Sequence, residues 1–193
     1  MDLPRLIVSN RPWIDIGPHP WRRYLARTVD TAFNATILAF VLGITFYSID
    51  YAAAARFFAG LSQPHNRIWN AMVTCLLAIP GNGLLIGLTG GSVGKWLFGV
   101  RILDAHSQPI GIGRAFIREG IVWVRGLGLG IPILTIITSI VAYRLLAKTG
   151  ATSWDQKMSL KATHRTNGPT QMALAVPGIA LAIVALIGGL AAL

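Results

Sequence analysis

The sequence predicts an all-α polytopic membrane protein, a small helical bundle of about four hydrophobic segments with a cytoplasmic loop carrying a short β-like turn. Three observations predict it. Hydrophobic residues make up 53% of the 193 and charged residues 12%, against roughly 25% charged in an ordinary soluble domain. Apolar runs at 32–51, 68–88, 121–146 and 174–193 each approach or exceed the roughly 20 residues that cross a bilayer as a helix. The 17 Lys and Arg, against 7 Asp and Glu, gather between those runs, where membrane orientation and anionic headgroups account for them. The net charge of +10 comes with no zinc, basic-helix or aromatic-platform motif, so nucleic acid is not an expected partner.

In chain order, residues 1–20 hold Asp2, Pro4, Asn10, Asp15 and Pro18 without a continuous apolar core, and read as a polar cytoplasmic tail with no cleavable signal peptide. Residues 21–165 form the membrane domain, and 166–193 a linker and extra C-terminal helix. The first span starts at Arg23 or Thr28 and ends at Tyr51. Residues 52–67 read as a short connection. In the second span, Ile68 to Leu88, the run Pro80-Gly81-Asn82-Gly83 predicts a break, because proline removes a helical donor. Residues 89–120 read as a short strand at Gly99–Asp104, a turn, a return and an amphipathic helix near Arg114 to Glu119. The third segment, Ile121 to Leu146, is interrupted by Arg125, three glycines and Pro132. Residues 147–171 are polar and basic, and the fourth segment follows.

Basic flanks set orientation. Arg5, Arg11, Arg22, Arg23 and Arg27 precede the first span, and Lys95, Arg101, Arg114 and Arg118 follow the second, whereas the intervening loop has only Arg56 and Arg67. The N-terminus and the 89–120 loop are therefore expected in the cytoplasm. Lys148, Lys157, Lys161 and Arg165 then conflict with a third segment that crosses once. A segment that enters and returns removes the conflict. Its 26 residues are short for two crossings, so both readings stand, with a slight preference for the single span.

Gly90-Gly91-Ser92-Val93-Gly94-Lys95 does not make a phosphate loop, because Thr89 replaces the first glycine and Trp96 the hydroxyl residue after lysine. Lys95 is expected at headgroup level instead. The four histidines (His19, His65, His106 and His164) are scattered and Cys75 has no partner cysteine, so no metal site and no cofactor is expected. No nucleophile–base set assembles, which argues against an enzyme.

Two polar constellations remain. Arg23, Arg27, Asp30 and Asn34 recur at helical spacing on one face. A carboxylate in an apolar helix needs a partner or water, and the two arginines one and two turns earlier are the expected partners of Asp30. The stripe is either a buried ion pair that fixes register or a site that binds or relays a cation or proton. Asp155, in Ser153-Trp154-Asp155-Gln156-Lys157, is either an ordinary loop acid or a second pole of that site. Asn82 is a further polar candidate in the second span, and Gly126 and Gly130 favour close helix packing.

Trp21-Arg22-Arg23-Tyr24-Leu25-Ala26-Arg27-Thr28-Val29-Asp30 resembles the first-helix motif of the RDD family of small prokaryotic membrane proteins, with Arg23 at the place of the arginine and Asp30 at that of the first aspartate. Gly91 to Ile102 and Ile110 to Glu119 resemble the stretch after the second helix. Ser153-Trp154-Asp155 resembles the second aspartate's motif, although Trp154 stands where many members have histidine. The resemblance covers about 20–165 and leaves the fourth segment outside. It implies a multi-pass protein of the bacterial inner membrane with a transport role, cation/proton antiport in some members. Asp30 would be the responsive group, Arg23 and Arg27 its tuners, and a homo-oligomer the natural way to line a path. The alternative is a membrane scaffold or accessory subunit. It would hold a protein partner or anionic lipid at its cytoplasmic face through Lys95, Arg101 and Arg118.

Overall fold

In the computed structural model, residue 13, residues 15–61 and residues 63–191 are described. The expectations for 1–12, including Arg5 and Arg11, lie outside them. Helix α1 (Pro20–Ile49) continues after a one-residue break into α2 (Tyr51–Leu61). The expected connection at 52–67 is thus mostly helix, as its run of alanines favours. Helix α3 (Arg67–Thr89) passes through Pro80. The expected break does not occur, because losing one donor does not stop a helix packed on both α1 and α5.

Gly90, left-handed at φ 75°, ends α3 and turns the chain into the short helix α4 (Val93–Leu97). Strand β1 (Val100–Leu103) and a turn at 104–108 follow, as the sequence suggests. Its ladder partner, however, is β2 (Lys161–His164), antiparallel with Val100 opposite His164 and Leu103 opposite Lys161. Asp15 bridges His164 from the other side. Three distant stretches therefore meet at one end of the bundle.

The third apolar segment resolves into two arms. Helix α5 (Ile112–Arg125) begins beside the end of α3, where the Gly111 amide donates to the Gly87 carbonyl at 3.2 Å. Its 14 residues carry it about 21 Å antiparallel to α3. The turn at 126–131 reaches the far end, where a Cβ on Gly130 would lie 2.7 Å from the Ala71 carbonyl oxygen. Helix α6 (Pro132–Thr149) returns to the sheet end, and α7 (Ser153–Lys157) caps it. The chain enters and returns, with a first arm that starts nine residues before the apolar run. The preference for one continuous span fails because the apolar run is divided between the end of α5, the turn and α6, and α5 is amphipathic, burying Ala115, Arg118, Glu119 and Val122 on one face. Residues 150–168 lie at the same end as Asp15 and β1, which removes the conflict in basic charge.

Helix α8 (Pro169–Ala191) packs on α1 and α4, its Gly178 against Phe98. Four helices, α1, α3, α6 and α8, are long and apolar enough to cross a membrane. They expose Phe40, Ile44, Ile133, Ile136, Val176 and Val184, side chains that water would not tolerate in such contiguous faces. The buried core lies at the sheet end, around Ala26, Val29, Ile86, Phe98, Val100, Ile102 and Ala182.

Helix α4 reaches that core only because Gly94 has no side chain. A Cβ there would overlap the Ala26 carbonyl oxygen of α1. Gly94→Ala is expected to cost about 1–3 kcal/mol by overpacking, read as a lowered Tm of the detergent-solubilised protein.

Candidate functional site

The α1 stripe forms as its spacing predicts, but its members turn to different partners. Asp30 is fully buried. It accepts hydrogen bonds from Lys95 Nζ at 2.7 Å and Ser92 Oγ at 2.5 Å on Oδ2, and from the Gly94 amide at 2.7 Å on Oδ1. The arginines are not its partners. Helix α4 brings a lysine and a backbone amide onto the carboxylate, whereas Arg23 and Arg27 are drawn to α7. Lys95 is correspondingly buried, 5% exposed, with its ammonium turned to Asp30 rather than free to meet a headgroup. Asn34 donates to Asn82 Oδ1 at 2.9 Å, which gives the Pro80–Gly83 stretch a structural use: Gly81 leaves room for the Asn34 amide.

Asp155 forms the second centre. It accepts from Arg118 Nε at 3.0 Å and Thr152 Oγ1 at 2.8 Å, and Arg23 Nη1 lies 3.5 Å away. Arg118, 2% exposed, also holds Glu119 at 2.5 Å. It too was expected at the headgroups, and burial excludes that contact. Arg101, the third such residue, is half-buried on β1 with its guanidinium 4.2 Å from the Trp13 ring, which Arg165 also covers at 4.6 Å. Burial alone would raise the Asp155 carboxyl, but the charges of Arg118 and Arg23 and the Thr152 hydrogen bond hold it below the usual carboxylate range. Asp155 is thus no ordinary loop acid.

The two centres are neighbours. Arg27, Asp30, Asn82, Lys95 and Glu119 border a void of about 10 Å³, room for about one water. Four cations (Arg23, Arg27, Lys95, Arg118) face three carboxylates (Asp30, Glu119, Asp155). Arg27 differs from the other three: among the described residues its guanidinium makes no hydrogen bond and no ion pair within 4 Å, lies 5.7 Å from the Trp154 ring, and feels the charges of Glu119, Asp155 and Asp30 only at longer range. On its open side lies a largely apolar cavity of about 600 Å³ between α1 and α6, bordered by Tyr24, Arg27, Ile140, Tyr143 and Trp154.

A third cluster escaped the sequence reading. Asp15, His19 and His164 place their ligating atoms within 4.8 Å of one another. The only cue in the sequence is the i,i+4 spacing of Asp15 and His19; His164 arrives through the β2 bridge.

The RDD family model matches residues 17–157. Those residues include both centres and stop before β2 and α8. No curated protein and no solved structure matches the chain.

Proposed function

The chain belongs to the RDD family, and on that premise we propose a small multi-pass transport protein, or transporter component, of the bacterial inner membrane that exchanges a monovalent cation for a proton at the buried Asp30–Lys95 pair. The observation that carries this reading is the identity of the partner. A lysine can release its proton when its surroundings change, whereas an arginine stays charged. A cation entering beside Asp30 Oδ2 and Ser92 Oγ takes over the ammonium's charge. Lys95 then loses one proton to water and becomes a neutral amine, so the site's charge is conserved. The sheet end, with Arg22, Arg114, Lys148, Lys157 and Lys161, faces the cytoplasm on this reading.

The test is a reconstituted vesicle with a pH-sensitive dye inside and sodium, potassium or lithium added outside. Wild type is expected to give a cation-dependent pH change that both Asp30→Asn and Lys95→Arg abolish. Retained exchange in Lys95→Arg would sink the mechanism. No exchange by well-folded wild type would favour the second reading, a membrane scaffold or accessory subunit, which Arg27 supports. Its guanidinium borders the cavity between α1 and α6 without a direct ion pair among the described residues, and suits an anionic lipid headgroup with its tail along the apolar wall.

A further inference from the structure

His164 is fully buried, and neither of its ring nitrogens has a hydrogen-bond partner among the described residues. An imidazole buried with both nitrogens unsatisfied is costly, and it calls for a ligand. Its surroundings supply the rest of a donor set. Asp15 lies directly across the bridge, its amide donating to the His164 carbonyl at 3.3 Å and the His164 amide donating back at 2.6 Å. The Gly17 amide occupies Asp15 Oδ1 at 2.8 Å and leaves Oδ2 facing His19 Nε2, 2.7 Å away. His19 is left-handed at φ 35° immediately before α1, a region that few non-glycine residues adopt, histidine more readily than most, and its ring meets that of His164 at 4.8 Å.

We propose that Asp15, His19 and His164 bind one divalent transition-metal ion of the zinc class. Two imidazoles and a carboxylate are ligands that such ions take, with a position left for water. Donors around a tetrahedral zinc stand about 3.3 Å apart, and these three atoms all lie within 4.8 Å of one another. Arg23 is the opposing charge nearby, and Asp155, 3.5 Å from it and shared with Arg118, offsets it in part. The bound ion would clasp the segment before α1 to β2, and so fix the start of the helix that carries Arg23.

The experiment uses the full chain in detergent, freed of any affinity tag and of metal, titrated with cobalt(II) and then competed with zinc. The expected result is one equivalent bound, with a visible cobalt band that zinc removes and millimolar magnesium does not. Because losing His164 could disturb the sheet, the informative variants are His19→Gln and Asp15→Asn, both at part-exposed positions. Each is expected to weaken binding by at least about 100-fold with the circular dichroism unchanged. Substoichiometric binding by folded wild type, or undiminished affinity in either variant, would overturn the proposal.

Discussion

Arg118→Met is expected to destabilise the protein by about 3–5 kcal/mol, the cost of stranding buried carboxylates. Methionine fills much of the volume, but it removes the donor that both Asp155 and Glu119 use. Arg23 at 3.5 Å and Thr152 at 2.8 Å remain on Asp155 and cannot replace it. Thermal unfolding in detergent measures the loss. A double variant that also makes Glu119 leucine should recover part of it, because it removes one of the two stranded carboxylates while Asp155 stays to pair Arg23. The pH dependence follows from the depressed Asp155 carboxyl. A carboxylate held below its unfolded value contributes stability that is fully present above that value, about 4, and is lost as pH falls through the folded value. Wild-type Tm should therefore hold down to about pH 4 with respect to this group. In Arg118→Met burial is opposed by fewer charges, so the decline should begin at higher pH.

Asp30→Leu and Lys95→Met should each cost a similar 3–5 kcal/mol, because each leaves one buried charge without its partner. The double variant is expected to lose far less than the sum, since no uncompensated charge remains. Stability and function then separate. If the pair only fixes packing, the double variant behaves as wild type in vesicles. If it exchanges ions, the double variant folds and carries nothing. An unfolding curve and a flux trace on the same preparation decide between the two.

Much of the fold was legible because lipid-facing helices announce themselves by length and apolarity. The stripe on α1 was legible for the same local reason, a helical spacing of four, three and four. Its partners were not. Neighbouring arginines on one helix were the nearest candidates for Asp30, while Lys95 comes from a five-residue helix whose docking depends on Gly94 meeting Ala26. That is a tertiary fact with no periodic signal. Strand β2 is four residues long, too short to stand out in a basic stretch, and without it neither the return of α6 nor the meeting of Asp15 with His164 could be inferred. Helix α5 misled for the opposite reason. Arg118 and Glu119 look like surface residues in a list of letters, and only the packing of α5 on α3, with Asp155 closing over Arg118, makes them interior.

The placement of Asp155 beyond α6 has a consequence for biosynthesis. The ribosome completes α1, α3 and both arms of the hairpin before it makes the aspartate that Arg23 and Arg118 share, and β1 waits equally long for β2. A nascent chain halted near residue 150 would hold two guanidiniums in a closing interior with their shared anion still missing. Closing of this charged interior is thus conditional on synthesis having passed Asp155.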